Sequence, residues 1–423
     1  MATKLKRELG LLETTFYGVG VILGAGIYVL IGKGAGLAGN MVWAAFAIGA
    51  LIAAFTGLSY AELSSMFPKS GGEYVFAEKA FNKRIAFLVG WLIIIGGVIA
   101  SAAVSLGFAG YFSAIFHAPI IPIAMTLILL LSLLSFWGIK QSAFAEIIAT
   151  CIEVGGLIAI ILFGLKYIGR VDYAALPPLG FSGILSATAL IFFAYLGFED
   201  IVRLSEETKN PTKTIPKALI LAIAISTILY IGTAIAAVSV VGWEALSQSG
   251  APLALVAQTA LGEKAFVFLA ITALCATFTT VLGLLIATSR MLYGMAEDGG
   301  LPRIIHNAVH KKFQTPWLAI LITGIISAAF ILLGKIELVA SLTDFALFVT
   351  FAIVNLSLLW LRFKLPRTAR PFKTWALLSA FGMVSSIAML FYLDRKVWLA
   401  GAVMIGVGFL AYELINKKYK KRK

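Results

Sequence analysis

The sequence predicts an integral membrane protein that consists of α-helices. Of its 423 residues, 61% are hydrophobic and only 13% are charged, and the mean hydropathy is +0.98. A water-soluble domain does not carry this composition, because it needs a polar surface around one enclosed core. The apolar stretches are long and unbroken, whereas the strands of a membrane β-barrel alternate over about ten residues. A bundle of membrane-spanning helices is therefore the expected fold class.

Twelve apolar segments meet or approach the length of about 20 residues that a spanning helix needs. The first segment lacks a small-residue cleavage site and is too long for a signal peptide, so we expect it to be retained. An even number of spans places both ends of the chain on one side of the membrane. We number the segments 1 to 12 in chain order: Leu11–Ala38, Met41–Met66, Ile85–Phe116, Pro119–Trp137, Ser142–Tyr167, Gly183–Val202, Ala218–Val241, Ala265–Met295, Trp317–Leu333, Leu338–Leu361, Thr374–Leu393 and Val397–Ile415.

The basic residues support this segmentation independently of hydropathy. With twelve spans, 27 of the 34 lysines and arginines fall on one side of the membrane and 7 on the other. Cytoplasmic loops carry the excess of basic residues, so both termini are predicted to be cytoplasmic in a plasma membrane protein. The net charge of +14 then follows from the orientation in the lipid bilayer, and nucleic-acid binding is not needed to explain it.

Residue types that carry enzyme chemistry are scarce in this sequence. Cys151 and Cys275 lie inside apolar segments, and His117, His306 and His310 fall in connecting segments. There is no HExxH or GxSxG motif, no Cys/His cluster and no Walker sequence. We therefore predict no catalytic residues, no bound metal and no cofactor, and we expect a protein that is not an enzyme.

Glycine-rich runs predict interruptions in two helices. One run is Gly18–Tyr28 in segment 1, and the other is Phe192–Asp200 in segment 6. Unwound backbone is tolerated inside a bilayer only where it lines a cavity within the protein, so an interrupted helix indicates a polar ligand. Close packing of helices is the alternative explanation for glycine in a membrane helix. Two runs that lie five segments apart favour a ligand site.

Four stretches of the sequence resemble one family. They are Gly20–Gly32 (GVILGAGIYVLIG), Ser59–Tyr74 (SYAELSSMFPKSGGEY), Phe192–Pro216 (FFAYLGFEDIVRLSEETKNPTKTIP) and Ser289–Pro316 (SRMLYGMAEDGGLPRIIHNAVHKKFQTP). They are similar to the amino acid–polyamine–organocation superfamily, and most similar to its cationic amino acid transporter-like branch. This resemblance implies a single transporter domain with a leucine-transporter-like fold. Residues 11–167 and 183–361 would form inverted repeats of five segments each, and residues 374–415 would form two peripheral helices.

The resemblance also implies a substrate site between interrupted segments 1 and 6. It assigns backbone N–H groups that bind an α-carboxylate to Gly24, Ala25 and Gly26. It places the ring of Phe193 over one side of the substrate. The opposite dipoles of two interrupted helices suit the two charges of an amino acid. The resemblance assigns carbonyl groups that accept the α-ammonium group to four residues: Ile22, Phe193, Ala194 and Leu196.

Segment 5 departs from the pattern of the family. Its proton-dependent members commonly carry a lysine fifteen residues after the glycine of a Gly-Ile-Lys-x-Ser motif, and here that position is Glu153. If Glu153 lies beside segment 1 and beside Thr279 or Thr280 of segment 8, it can bind a coupling cation. We expect a proton rather than sodium, because segment 5 offers few neutral oxygen ligands. A neutral, hydrogen-bonded acid with a structural role is the alternative.

The remaining acidic residues give weaker signals. Glu199 is expected either to face a cationic side chain or to form a surface ion pair, and Asp344, near the outer end of segment 10, has no assigned role. Four others lie at cytoplasmic helix ends near Lys69, Lys209, Arg290 and Arg303 and are expected to form ion pairs or gate charges: Glu62, Glu206, Glu207 and Glu297.

These observations together predict a secondary active transporter of α-amino acids that works by alternating access and is coupled to protons. An amino acid/polyamine exchanger and a sodium-coupled amino acid symporter are the alternatives. A channel is disfavoured because one chain with two unlike interrupted helices does not form a ring of like residues. The identity of the amino acid depends on side chains of segments 3, 8 and 10, whose apolar periodicity does not single out the lining residues.

Overall fold

The computed structural model of the chain describes residues 9–68, 72–137, 142–206, 208–297, 300–310, 313, 315–333 and 335–420, without the side chains of 142–149, 203, 206, 297 and 416–420. This part of the chain folds into sixteen α-helices. They are α1 (Leu11–Ala38), α2 (Val42–Met66), α3 (Gly72–Ala80), α4 (Lys83–Phe116), α5 (Ile120–Trp137), α6 (Ser142–Gly164), α7 (Gly180–Ile191), α8 (Asp200–Arg203), α9 (Pro211–Gln248), α10 (Pro252–Leu261), α11 (Glu263–Glu297), α12 (Arg303–Asn307), α13 (Trp317–Ile331), α14 (Ile336–Lys364), α15 (Ala376–Leu390) and α16 (Arg395–Lys420).

The all-helical prediction is confirmed for the described residues, and each predicted segment contains a helix. Nine stretches of the described chain are long and apolar enough to cross a membrane. The first stretch, Leu11–Met66, has 56 residues, which as one helix would measure about 84 Å. It is instead folded back at Gly39, whose φ of 58° ends α1. Because α13 and α15 have only 15 residues each, the count of twelve spans stays a prediction.

The helices extend beyond several of the predicted segments. Segment 7 was predicted to cover Ala218–Val241, but the observed α9 runs from Pro211 to Gln248. At its start α9 continues beyond the hydrocarbon, where hydropathy gives no signal. Directly after Val241 it is kinked at Gly242 (φ 77°, ψ 161°), so the predicted end of segment 7 coincides with this kink. Proline at the first position of α9 is compatible with a helix start, because its missing N–H has no partner there. The short helices α3, α10 and α12 were not predicted, since none of them is long enough to give a spanning signal.

An ion pair joins the C-terminal ends of α2 and α14, as predicted for Glu62, but with different partners. Glu62 is fully buried, and its carboxylate lies 2.6 Å from Arg362 Nη2 and 3.3 Å from Arg370 Nε. It also accepts the backbone N–H of Thr374. The sequence placed Glu62 near Lys69, which lies outside the described residues, as do Glu207 and the side chains of Glu206 and Glu297.

A buried polar cluster fixes α14 and α15 to α2. The hydroxyl of Ser59 lies 2.6 Å from Asn355 Oδ1 and 2.9 Å from Ser379 Oγ. The amide of Asn355 donates to Thr56 Oγ1 at 3.1 Å. Buried polar groups need such partners, so these bonds fix the position of α14 against α2.

Candidate functional site

Both glycine-rich segments are interrupted, and in both cases glycine forms the interruption. In α1, Gly24 has φ 0° and ψ −147°, which is outside the helical region. In segment 6, α7 ends at Ile191 and continues as a 3₁₀ turn over Phe192–Tyr195. Leu196 is then extended, and Gly197 has a φ of 105° before α8 begins. The predicted interruptions are confirmed at residues whose backbone conformations side chains rarely adopt.

The two interruptions contact each other directly. A Cβ atom added to Gly26 would overlap the Cα of Ala194, and one added to Gly197 would overlap the side chain of Val21. The earlier residue of α1, Val21, meets the later residue of segment 6, Gly197, whereas Gly26 meets Ala194. The two segments therefore run antiparallel, and their interruptions lie at the same depth in the bundle. Close approach of the two backbones thus depends on glycine at both places.

A tyrosine of α9 connects the two interruptions. The Tyr230 hydroxyl lies 2.5 Å from the carbonyl oxygen of Ile22 and 2.6 Å from that of Ala194. These are two of the four carbonyls predicted to accept an α-ammonium group. A tyrosine hydroxyl has a single proton to donate, so the two carbonyls share one donor at one point in space.

The N–H group of Ala25 is also paired with a side chain. It donates to Thr280 Oγ1 on α11 at 3.1 Å, and Thr280 in turn donates to the carbonyl of Ala276 at 2.8 Å. A Cβ atom added to Gly24 would lie 2.7 Å from Thr280 Oγ1. The backbone predicted to face a carboxylate therefore packs directly on a threonine hydroxyl.

Glu153 lies where the sequence predicted it, between α1 and α11. It is only 2% exposed, and Thr279 Oγ1 lies 3.1 Å from its Oε1. The backbone carbonyl of Glu153 accepts the hydroxyl of Tyr28 on α1 at 2.7 Å, and the carbonyl of Tyr28 accepts the hydroxyl of Tyr111 at 2.7 Å. The structure thus brings the acid, α1 and a threonine of α11 together.

Glu199, predicted either to face a cationic side chain or to form a surface ion pair, does not lie at the surface. Its side chain is buried, and its Oε2 accepts the backbone N–H of Gly197 at 3.0 Å. The carboxylate therefore pairs a donor that the interruption of segment 6 leaves free. Among the predicted site residues, Phe193 is 6% exposed and Leu196 is partly buried.

Sequence reasoning missed the tyrosines that support the interruptions. Tyr230, Tyr28 and Tyr111 are each at most 1% exposed and lie inside apolar helices. Tyrosine in a membrane helix usually lies at the interface with water, and a buried tyrosine hydroxyl needs a partner. A tyrosine in the middle of an apolar segment is the signal that could have identified them.

A cleft of about 500 Å³ opens at the end of the bundle that has few basic residues, and we call it the outer cleft. None of the ten predicted site residues lines it, but Leu190 in its wall precedes Ala194 by about one helical turn. An ion pair of 2.9 Å between Lys33 and Glu337 lies at the cleft. The lining residues are Lys33, Gly36, Leu37, Ser186, Leu190, Ser247, Glu337, Ser341, Tyr392, Leu393 and Asp394.

Comparison with known proteins is consistent with this architecture. The amino acid permease family matches residues 9–412 of the chain. The chain belongs to this family. The resemblance found in the sequence is thereby confirmed, and the protein is a membrane permease whose family transports amino acids.

Relatives of this permease are named as transporters. The branched-chain amino acid permease BcaP of Bacillus subtilis is 30% identical, with 99% of this chain and 94% of that protein covered. The methylthioribose transporter of the same organism is 28% identical, with coverage of 98% and 94%. Cationic amino acid transporter 4 of Homo sapiens is 29% identical, with coverage of 86% and 61%. These names agree with the expectation that the protein is not an enzyme.

We predict that Gly26→Ala impairs amino acid uptake by this permease. The added methyl group would overlap the backbone of Ala194 and separate the two interruptions. Overpacking of this kind costs about 1–3 kcal/mol, so substrate affinity should fall by about tenfold. Uptake of labelled amino acids into proteoliposomes measures the effect. Gly155→Ala is the matched control, since a Cβ atom there meets nothing within 4 Å; equal uptake by both variants would contradict the prediction.

Proposed function

We propose that this permease is a secondary active transporter of α-amino acids that works by alternating access. In this proposal, twelve helices span the plasma membrane with both termini in the cytoplasm, and residues 11–167 and 183–361 are inverted repeats. The antiparallel contact between the interruptions of α1 and segment 6 supports such a pairing. Two of the relatives are named for amino acids, and this supports the substrate class.

One observation carries the proposal, namely that carbonyls from both interruptions converge on a single point. The oxygens of Ile22 and Ala194 lie within 2.6 Å of the same hydroxyl. An α-ammonium group has three N–H donors and a full charge, so it satisfies both carbonyls better than one hydroxyl proton does. The Tyr230 oxygen can then act as an acceptor for the third N–H. We assign the ammonium site to these groups, together with the carbonyls of Phe193 and Leu196.

The N–H groups of Gly24, Ala25 and Gly26 form the proposed carboxylate site. They begin the outer half of α1, where a helix presents unpaired N–H donors and the positive end of its dipole. The Thr280 hydroxyl accepts the Ala25 N–H in the observed structure. A substrate carboxylate is a stronger acceptor than a hydroxyl, and it can take over this donor.

An α-amino acid must therefore present both a free amine and a free carboxylate. We expect its methyl ester and its N-acetyl derivative not to compete, because each removes the charge that one interrupted helix recognises. The measurement is counterflow uptake into proteoliposomes with a panel of labelled amino acids, followed by competition against those that are transported. Competition by either derivative equal to that of the parent amino acid would rule out the proposed site.

We predict that Tyr230→Phe destabilises the substrate-free protein more than the substrate-bound protein. Without the hydroxyl, buried carbonyls lose their donor at a cost of about 1–3 kcal/mol, and a bound ammonium group restores it. The midpoint of thermal unfolding in detergent, with and without saturating amino acid, measures the difference. Tyr111→Phe is the control, since its hydroxyl donates to the carbonyl of Tyr28, which is not one of the carbonyls assigned to the ammonium site. If the difference in unfolding midpoint between wild type and Tyr230→Phe is the same with and without substrate, the ammonium assignment is contradicted.

We further propose that Glu153 couples transport to a proton, with Thr279 and Thr280 as its neighbours on α11. A hydroxyl can donate to an ionised carboxylate and accept from a protonated one, so Thr279 can pair with either form. Thr280 and Glu153 are both bonded to α1, because Thr280 accepts the N–H of Ala25 and the carbonyl of Glu153 accepts the hydroxyl of Tyr28. A change in the charge of Glu153 thus acts on the interrupted part of α1, which is the difference between states that coupling requires.

The expected phenotype of Glu153→Gln is the loss of coupling without the loss of binding. Glutamine resembles the protonated acid, so substrate exchange should continue, whereas uptake driven by an imposed pH gradient should disappear. Uptake into proteoliposomes under exchange conditions and under a pH gradient separates the two activities. Glu263→Gln, at the exposed outer end of α11, serves as the control. Gradient-driven accumulation by Glu153→Gln, or wild-type uptake that follows sodium and ignores pH, would show that the assignment is wrong.

A further inference from the structure

The last turn of α14 and the loop that joins it to α15 carry basic residues and no acids. We call residues 365–375 the α14–α15 loop. Residues 361–377 contain five lysines or arginines and no aspartate or glutamate. In the proposed orientation these residues lie on the cytoplasmic side, where an excess of basic residues is expected. The five are Arg362, Lys364, Arg367, Arg370 and Lys373.

Three of the five basic residues have partners within the protein. Arg362 and Arg370 pair with Glu62 of α2. Lys364 donates to two backbone carbonyls at the end of α3, at 3.0 and 3.2 Å. The contacts of these three side chains are thus explained by the fold.

Arg367 and Lys373 are the basic residues of this set that the fold does not use. Both side chains are exposed, and neither forms an ion pair with the residues that the structure describes. Two cations on one short loop repel each other unless an anion lies near them. They therefore indicate an anionic partner from outside the protein.

The α14–α15 loop has a fixed conformation. The guanidinium group of Arg370 donates to two carbonyls of the loop, at 2.9 and 3.1 Å. The N–H group of Phe372 lies 3.3 Å from Ser65 Oγ on α2, and the N–H group of Thr374 lies 2.8 Å from Glu62 Oε2. The backbone that carries the two unused cations is thus ordered before a partner arrives, which lowers the entropy cost of binding.

Exposed aromatic rings flank the α14–α15 loop on both sides. Phe363, in the last turn of α14, is 82% exposed, and Trp375, directly before α15, is 77% exposed. Tryptophan at the end of a membrane helix prefers the layer of the lipid headgroups. The cations of the loop, which lie between these two rings in the chain, are therefore placed at the depth of headgroup phosphates.

Both helices continue from the loop with an exposed apolar stripe. On α15 the stripe consists of Leu377, Phe381 and Val384, and on α14 Leu356 and Trp360 lead up to the loop. These spacings of three and four residues place each set on one face of its helix. The buried polar cluster of α2, α14 and α15 holds the two helices together. A surface with cations at one end and apolar stripes that lead away from them matches a lipid with an anionic head.

We propose that the α14–α15 loop binds the headgroup of an anionic phospholipid, with Arg367 and Lys373 as its cationic ligands. The guanidinium group of Arg367 can form two parallel hydrogen bonds with one phosphate, and the ammonium group of Lys373 supplies a second positive charge. The acyl chains lie along the stripes of α14 and α15. A free phosphate or an acidic peptide would use the cations and leave the stripes without a role.

The inference uses the proposed orientation, because anionic lipids are enriched in the cytoplasmic leaflet. It does not involve the amino acid site. Its failure therefore leaves the proposed function in place.

Lipid binding to the purified full chain tests the inference. Native mass spectrometry in a neutral detergent gives dissociation constants for phosphatidylglycerol and for phosphatidylcholine with the same acyl chains. Wild type should bind phosphatidylglycerol at least about tenfold tighter, because each Lys or Arg near an anionic lipid contributes about fivefold. Arg367→Gln/Lys373→Gln should lose most of this preference. Arg367→Lys keeps the charge and should keep most of it.

The matched control removes two other lysines on the same side of the membrane. Lys213 and Lys217 are exposed at the start of α9, which in the proposed orientation is a cytoplasmic helix end. Lys213→Gln/Lys217→Gln changes the net charge by the same amount as Arg367→Gln/Lys373→Gln. It should leave the preference for phosphatidylglycerol within about twofold of wild type, since the charge is removed away from the proposed site.

A second measurement locates the lipid on the protein. Phosphatidylglycerol with brominated acyl chains quenches tryptophan fluorescence at close range, and the contribution of Trp375 is the difference between wild type and Trp375→Phe. This contribution should be quenched at a lower concentration of brominated phosphatidylglycerol than of brominated phosphatidylcholine. In the background of Arg367→Gln/Lys373→Gln, the two lipids should quench it equally.

Four results would overturn the inference. The first is equal binding of the two lipids to wild type, and the second is an unchanged preference in Arg367→Gln/Lys373→Gln. The third is an equal loss of preference in Lys213→Gln/Lys217→Gln, because the effect would then come from the total surface charge. The fourth is displacement of phosphatidylglycerol by an equal concentration of inorganic phosphate or polyglutamate, which would show a site for a free anion or an acidic peptide.

Discussion

The pairing of backbone groups where α1 and segment 6 are interrupted is the constraint on which the site depends. Each interruption removes hydrogen bonds from a helix inside the membrane, where an unpaired N–H or carbonyl costs several kcal/mol. Neighbouring helices supply the missing partners. The hydroxyl of Tyr230 on α9 donates to the carbonyls of Ile22 and Ala194. The hydroxyl of Thr280 on α11 accepts the N–H of Ala25, and the carboxylate of Glu199 accepts the N–H of Gly197. The helices around the interruptions are therefore held there by polar bonds as well as by packing.

Two of these partners are hydroxyl groups, and this has a consequence for binding. A hydroxyl forms a neutral hydrogen bond, whereas the ends of an amino acid form charge-assisted bonds that are about twice as strong. The protein can therefore keep its interruptions paired while the site is empty and still gain from the exchange when substrate arrives. Tyr230 and Thr280 also belong to different helices, α9 and α11, so replacing their bonds changes the contacts of α1 with both. Substrate binding and the arrangement of the helices are thus linked through the same few atoms.

The sequence predicted those features of the site that depend on local composition. The glycine-rich runs Gly18–Tyr28 and Phe192–Asp200 identified the two interrupted segments, and the position of an acid in an apolar helix singled out Glu153. It could not predict which side chain completes the interruptions, because Tyr230 is 208 residues from Ile22 in the chain. The same holds for the partners of Glu62, since Arg362 and Arg370 belong to a distant helix and a distant connection. Contacts between helices of uniform apolar composition leave no periodic signal that would identify them.

Glu153 and Asp344, two of the buried acids, show how the surroundings of a carboxyl group limit its possible roles. Glu153 has the hydroxyl of Thr279 within 3.1 Å, a partner that can donate or accept, so the acid can gain or lose a proton without losing its hydrogen bond. Asp344 on α14 is fully buried and has no such partner among the described residues. Under the proposed function, Glu153 therefore suits a proton that is loaded and released. The neighbours of a buried acid thus decide whether it suits coupling, and for this reason the coupling role is assigned to Glu153 on α6 and not to Asp344 on α14.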